Sequence, residues 1–254
     1  QDTMNAFVTG GSRGIGRQIV LRFAREGWGV AFTYAGNRAA ADETIALAEA
    51  AAREAGNASP LIRGYQLDLR DRAAIEKTSE EVFAAFDEMH ALVNNAAIVR
   101  NNAAVVMSDE EWDEVIAANL TGPFLLMRAF TMHFMSNRFG RIVNISSLAE
   151  GGCSGQANYA ASKSGLMGLT QTFAKEYGPK GITANIVTVG YVPTDMTKDN
   201  MAEQLHQFWM KHCPLKRPGK GEEIADLVHF LCSERGAFIN GERIRVSGGL
   251  TYAP

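Results

Sequence analysis

Apolar positions along the chain switch between two rhythms. Short runs dense in Val, Ile, Phe and Thr recur from end to end, and longer stretches between them return apolar residues every three or four positions. The first rhythm suits buried strands, the second amphipathic helices. Strands are expected at 5–9, 30–34, 61–66, 91–94, 140–145, 183–189 and 242–246, and helices at 15–25, 39–55, 72–86, 110–136, 157–177 and 222–233. Ile15, Ile19, Leu21 and Phe23 keep helical spacing in the first helix, and Ser108-Asp109-Glu110-Glu111 opens the fourth as an N-cap followed by first-turn acids. Strands alternating with helices, with no repeat or low-complexity linker, predict one α/β domain built on a parallel sheet.

One segment breaks the alternation. From 190 to 220 the chain carries the breakers Pro193 and Pro214 around Met196, Met201, Leu205, Phe208, Trp209 and Met210. An excursion after the carboxyl end of a strand stands where α/β folds bind ligands, so a substrate-covering lid is expected there. The plainer reading is a helical excursion that packs its apolar face on the body.

Composition bounds the function. With 254 residues and 46% hydrophobic content the chain can bury a sizeable core, and a net charge of −3 gives no footprint for nucleic acid. Cys153, Cys213 and Cys232 form no C-x-x-C, and the five histidines lack ligand spacing, so neither disulfide nor metal is expected and a reducing compartment is the simpler reading. No apolar run approaches about 18 residues and the start lacks a secretory pattern, which predicts a cytoplasmic protein without a membrane span.

The first strand runs into Thr9-Gly10-Gly11-Ser12-Arg13-Gly14-Ile15-Gly16 and then into a helix. Side chains in such a turn would hold the backbone away from a pyrophosphate, and the helix N-terminus offers free N–H groups to an anion. Gly10, Ser12, Arg13, Gly14, Ile15 and Gly16 are thus the candidate phosphate turn. The second strand ends Tyr34-Ala35-Gly36-Asn37-Arg38, without the acid that would bind a ribose 2′-hydroxyl. Arg13 and Arg38 can instead meet a 2′-phosphate, which favours NADP(H) over NAD(H).

At the end of the fifth strand stands Asn144-Ile145-Ser146-Ser147, and twelve residues beyond Ser147 comes Tyr159-Ala160-Ala161-Ser162-Lys163. Tyr and Lys at i, i+4 share a helix face, so the ammonium is expected beside the phenol, where it lowers the phenol pKa from about 10 toward neutrality. These residues together resemble the short-chain dehydrogenase/reductase family, over essentially the whole chain. Thr9 to Gly16 looks like its T-G-x-x-x-G-I-G, and Val93-Asn94-Asn95-Ala96-Ala97 like its N-N-A-G, with Ala97 in place of the last Gly.

The resemblance implies a Rossmann-type, doubly wound sheet of seven parallel strands with helices on both faces, forming a single domain over 1–254. It implies Asp68 and Leu69 at the adenine, and Asn95, Ala96, Tyr34, Val192, Thr194, Tyr159 and Lys163 as further cofactor contacts. It also implies a tetrad of Asn119, Ser147, Tyr159 and Lys163, in which Tyr159 protonates a carbonyl oxygen held by the Ser hydroxyl, Lys163 binds the nicotinamide ribose, and Asn119 supports a water. Ser147 is chosen from its distance to the strand end; the thirteen-residue interval common in close relatives would select Ser146.

The segments 155–165, 194–197 and 246–249 look closest to 3-oxoacyl-[acyl-carrier-protein] reductases and related ketoreductases. That likeness implies NADPH-dependent reduction of a 3-oxoacyl thioester and an acyl-carrier protein docked on Arg138 and Lys180 beside the active-site entrance, with Arg141 nearby. It further implies a homotetramer. Val189-Gly190 replaces the usual Pro-Gly, which puts the substrate choice in play. The competing readings are an acetoacetyl-CoA reductase, a dehydrogenase of a steroid, sugar or small alcohol, and a nucleotide-sensing scaffold without chemistry.

Overall fold

Strands with apolar side chains on both faces are stable only where helices cover both sides. A computed structural model, which describes residues 3–57, 60–193 and 203–251, has that arrangement. Seven strands, β1 (Asn5–Val8), β2 (Gly29–Tyr34), β3 (Ile62–Gln66), β4 (Ala91–Asn94), β5 (Gly140–Ser147), β6 (Ile182–Val189) and β7 (Arg243–Val246), form one parallel sheet in the order β3-β2-β1-β4-β5-β6-β7. The helices are α1 (Gly14–Arg25), α2 (Arg38–Glu54), α3 (Arg72–Phe86), α4 (Asp109–Ile116), α5 (Gly122–Asn137), α6 (Ala157–Tyr177), α7 (Glu203–His212) and α8 (Gly221–Cys232).

Strand parity sorts the core. Ala6, Val8, Val30 and Phe32 leave the sheet toward α1, α2 and α8, where they meet Ile19, Phe23, Ala48 and Val228. Phe7, Ala31, Leu92, Ile142 and Ala184 leave on the other side, against α3, α5 and α6. The strand order reverses direction between β1 and β4, so the carboxyl ends of those strands flank a crevice, the usual ligand position of this architecture.

Two elements depart from expectation. β5 runs on through Ser146 and Ser147, because both continue the ladder with Thr188 and Val189 of β6. The long helix expected at 110–136 is divided into α4 and α5 by a π-helical turn at Ala117–Thr121. Pro123, in the first turn of α5, has no N–H to give the carbonyl four residues back, so the ladder widens there and sets Asn119 in the wide turn. The combined stretch Asp109–Asn137 contains a window apolar enough to cross a membrane, of mean hydropathy 1.3, yet 56% of that window is buried inside the fold. Its apolarity is core packing.

Beyond β6, α7 lays Trp209 against Leu148 and Leu250, with Tyr191 and Phe208 beside them. The excursion therefore packs on the residue that follows Ser147. Thr194, Met196, Met201 and the Leu205 side chain lie outside the described residues. The three cysteines are free, and no group of three or more His, Cys, Asp or Glu among the described residues is placed to hold a metal ion.

Candidate active site

The crevice between the ends of β1 and β4 opens into a cleft of about 400 Å³ that runs from Tyr34 and Asp68 past the glycine turn to Ser147, Tyr159 and Lys163. Its floor is built by hydrogen bonds between side chains and backbone groups. The Thr9 hydroxyl accepts the N–H groups of Asn95 and Ala96, each at 3.0 Å, and the Asn95 amide donates back to the Thr9 carbonyl at 3.0 Å. The Gly10 N–H donates to the Thr33 hydroxyl at 3.0 Å. The ends of β1, β2 and β4 are thereby tied around the turn.

Glycine is required here for steric reasons. A Cβ on Gly16 would stand 2.0 Å from the Gly10 carbonyl oxygen, and Gly10 itself sits at φ +67° with Ala96 only 3.0 Å from where its Cβ would lie. No side chain caps the N-terminus of α1, and its first turn holds no acid, so the positive dipole end is left facing the cleft. An open helix end over a glycine cradle fits the diphosphate of a dinucleotide. Gly10, Ser12, Arg13, Gly14, Ile15, Gly16, Tyr34, Asp68, Leu69, Asn95, Ala96, Tyr159, Lys163 and Val192 all line this cleft.

The two arginines expected to read a 2′-phosphate are not equivalent. Arg13 lines the cleft and makes no ion pair among the described residues. Arg38 does not line the cleft, is largely exposed, and spends its guanidinium on Asp42 one turn along α2 at 2.8 Å. Asp68 lines the cleft but is gripped by Arg70 at 2.7 Å, which holds its carboxyl below the usual range.

At the far end of the cleft the two serines part. The Ser147 hydroxyl faces the Tyr159 phenol as a hydrogen-bond partner, whereas the Ser146 hydroxyl turns to Glu150 at 2.5 Å. Lys163, buried, donates to the Ile145 carbonyl at 2.7 Å and stands 5.6 Å from the centre of the Tyr159 ring. The expected lowering of the phenol by this lysine does not occur. Desolvation by the surrounding protein pushes the Tyr159 phenol up to about 12, and what offsets it in part is Ser147. The same desolvation lowers Lys163 to about 8, against a raising pull from Glu150. Two groups drawn from water into one cleft wall each favour their neutral form, and the carbonyl rather than the phenol takes the ammonium. At neutral pH the phenol carries its proton.

Asn119 is buried behind this group rather than in the cleft lining. Its amide oxygen accepts the Ile98 N–H and its amide nitrogen donates to the Ile98 carbonyl, both at 2.9 Å, and reaches Ser162 at 3.4 Å. It clamps the loop after β4, whose Ile98 does line the cleft, onto the π turn. Lining residues that the sequence did not single out include Thr33, Asn37 and Ile98. Only Thr33 had a local signal, as a polar residue inside an otherwise apolar strand.

The basic residues expected at the entrance lie elsewhere. Arg138 caps the end of α5 just before β5, and Lys180 stands just before β6. Strands of eight residues rise about 26 Å from those ends to Ser147. Within one chain both residues therefore lie at the amino ends of the strands, opposite the cleft. Arg141 is buried, its guanidinium 4.1 Å from the Phe139 ring centre and donating to the Gly140 and Gly181 carbonyls, so it offers no charge to a carrier.

A family model described as enoyl-(acyl carrier protein) reductase matches residues 10–251. Among curated proteins the chain is 38% identical over 98% of both chains to the 3-oxoacyl-[acyl-carrier-protein] reductase of Staphylococcus aureus. The enzymes of that name from Aquifex aeolicus and Escherichia coli are 40% and 39% identical, each over 96% of both chains. Among solved structures, a Serratia marcescens short-chain dehydrogenase/reductase carrying two Phe-to-Leu changes superposes with a TM-score of 0.87 at 32% identity, covering 98% of each chain.

Proposed function

Because the chain belongs to the short-chain dehydrogenase/reductase family of nicotinamide-dependent oxidoreductases, we propose that it reduces a 3-oxoacyl thioester, presented on an acyl-carrier protein, to the 3-hydroxyacyl thioester with NADPH. The observation that carries this reading is the meeting of Ser147, Tyr159 and Lys163 at one end of a cleft whose other end is the uncapped α1.

A bound nicotinamide supplies the hydride; the chain's own side chains handle the oxygen. Ser147 and Tyr159 donate toward the carbonyl oxygen as negative charge gathers on it, and Tyr159, protonated at neutral pH, delivers the proton. Lys163 stays next to Tyr159 as the local cation and holds the ribose in this reading. Asn119 fixes the Ile98 segment that closes this end of the cleft. A basic patch at Arg138 and Lys180 suits an acidic carrier, and in a homotetramer it would serve the cleft of a neighbouring subunit rather than its own.

The test is a panel of acetoacetyl and longer 3-oxoacyl chains, each linked to carrier protein and to CoA, with NADPH consumption as the readout. Consumption with the highest kcat/KM on carrier-linked chains is expected. Consumption on none of them overturns the reading, and a preference for CoA-linked acetoacetyl would make the protein an acetoacetyl-CoA reductase.

Arg13 is the cleft's available guanidinium for a 2′-phosphate. A charge-assisted hydrogen bond of this kind contributes about 1.5–3 kcal/mol, so Arg13→Ala is expected to reduce the NADPH-over-NADH binding preference by roughly 10- to 100-fold. Fluorescence titration with both nucleotides measures it. An unchanged ratio would place the selection elsewhere.

A further inference from the structure

One buried carboxylate beside the active site has no part in the chemistry described above. Glu150 sits on the tight turn Leu148–Gly151 that follows β5, and its side chain is only 8% exposed. One oxygen accepts the Ser146 hydroxyl at 2.5 Å; the Thr188 hydroxyl lies between the two oxygens, at 3.0 and 3.2 Å; the other oxygen pairs with the Arg243 guanidinium at 3.2 Å. Two of the donors come from the carboxyl ends of β5 and β6, and the third is Arg243, the first residue of β7. Burying an acid is costly unless it is paired and hydrogen-bonded, and a turn can be closed without one. The Ser146 hydroxyl that donates to Glu150 also lies 3.4 Å from the Lys163 backbone carbonyl, so one side chain joins the carboxylate to the residue whose cation it favours.

We propose that Glu150 is a positioning residue for the reaction: its carboxylate ties the carboxyl ends of β5 and β6 to the start of β7 so that Ser147 faces Tyr159, and it supplies the negative charge that keeps Lys163 a cation. The contacts act in one direction. Ser146 also lines the cleft, but its hydroxyl is locked to Glu150, which leaves Ser147 as the hydroxyl on Tyr159. The titratable groups that face one another are few: Lys163 meets Glu150 from the turn and Tyr159 from its own helix, Tyr159 meets Cys153 from the loop before α6, and Glu150 meets Arg243 from β7 and Lys163 from α6.

The inference rests on the assignment of Tyr159 and Lys163 given above, and two paired variants test it. Glu150→Gln keeps the shape and removes the charge; Arg243→Gln removes the cation that competes for Glu150. The first is expected to shift the limb of the kcat/KM profile that falls as pH rises through about 8 downward by about one pH unit. The second is expected to shift it upward. The same signs are expected without any substrate. Lys163 has its folded value near 8 and an unfolded value of 10.5, so between them the unfolded chain holds a proton the folded chain has lost, and stability rises with pH. In thermal melts between pH 7 and 9 that rise should begin at lower pH in Glu150→Gln and at higher pH in Arg243→Gln.

Opposite shifts in both measurements support the proposal. A uniform loss of activity at every pH with no shift in the melts, or shifts of the same sign in both variants, would reduce Glu150 to a packing residue. Wild-type protein that consumes no NADPH while the melts still shift in opposite directions would instead sink the proposed reaction and leave the electrostatic link standing.

Discussion

Tyr159→Phe is expected to lower kcat/KM for a 3-oxoacyl thioester by about a hundredfold to ten-thousandfold while nucleotide binding stays within a fewfold of wild type. The range is that of losing one positioned general acid. The loss falls on the reaction because the ring keeps its place on the first turn of α6 and only the hydroxyl facing Ser147 is removed. Lys163 does not depend on that hydroxyl for its own position, since its ammonium bonds the Ile145 carbonyl. Stopped-flow reduction together with fluorescence titration of NADPH separates the two quantities. Weakened nucleotide binding with turnover of the bound enzyme preserved would remove Tyr159 from the chemistry.

The second large effect is expected from the glycine turn. Gly16→Ala places a methyl 2.0 Å from the Gly10 carbonyl oxygen and 2.6 Å from the Asn95 amide, neither of which can withdraw, because Asn95 is bonded to Thr9 and Gly10. Overpacking of a close-packed site costs typically 1–3 kcal/mol and occasionally more, and a backbone obstacle puts this one at the upper end. A fall in Tm of roughly 6–12 °C is expected, with nucleotide affinity reduced at least tenfold because the α1 end no longer meets the cradle. Calorimetry and nucleotide titration measure the pair. Wild-type values in both would mean that the turn relaxes more freely than its bonds imply.

Much of the site was readable because its signals are local. Gly10 to Gly16, and Tyr159 with Lys163, lie within one turn or one helix, where spacing alone fixes relative geometry. The seven strands were readable for the same reason, since each is a short apolar run with breakers on both sides. The choice between Ser146 and Ser147 was different: two identical residues differ only in which side of a strand end they leave, and that depends on Glu150 drawing one of them aside.

Charge was the property least accessible to spacing. The i, i+4 rule puts Lys163 near Tyr159 but says nothing of the water each gives up, and desolvation decided the sign for both. Arg13 on the glycine turn and Arg38 past β2 read alike as cations for a 2′-phosphate, yet Asp42 had already claimed Arg38. Arg138, Lys180 and Arg141 read as one basic group, and the fold placed two of them at the amino ends of the strands, away from the cleft, and buried the third.

Taken from the chain alone, the alternation of rhythms specified the architecture, the glycines specified where an anion can approach, and the Tyr–Lys spacing specified which helix carries the proton. Those are properties of neighbours along the backbone. The serine that faces the phenol and the role of Glu150 were decided only when β5, β6 and β7 came together. Electrostatics and desolvation depend on distances through space between residues up to 93 positions apart, which no local pattern encodes.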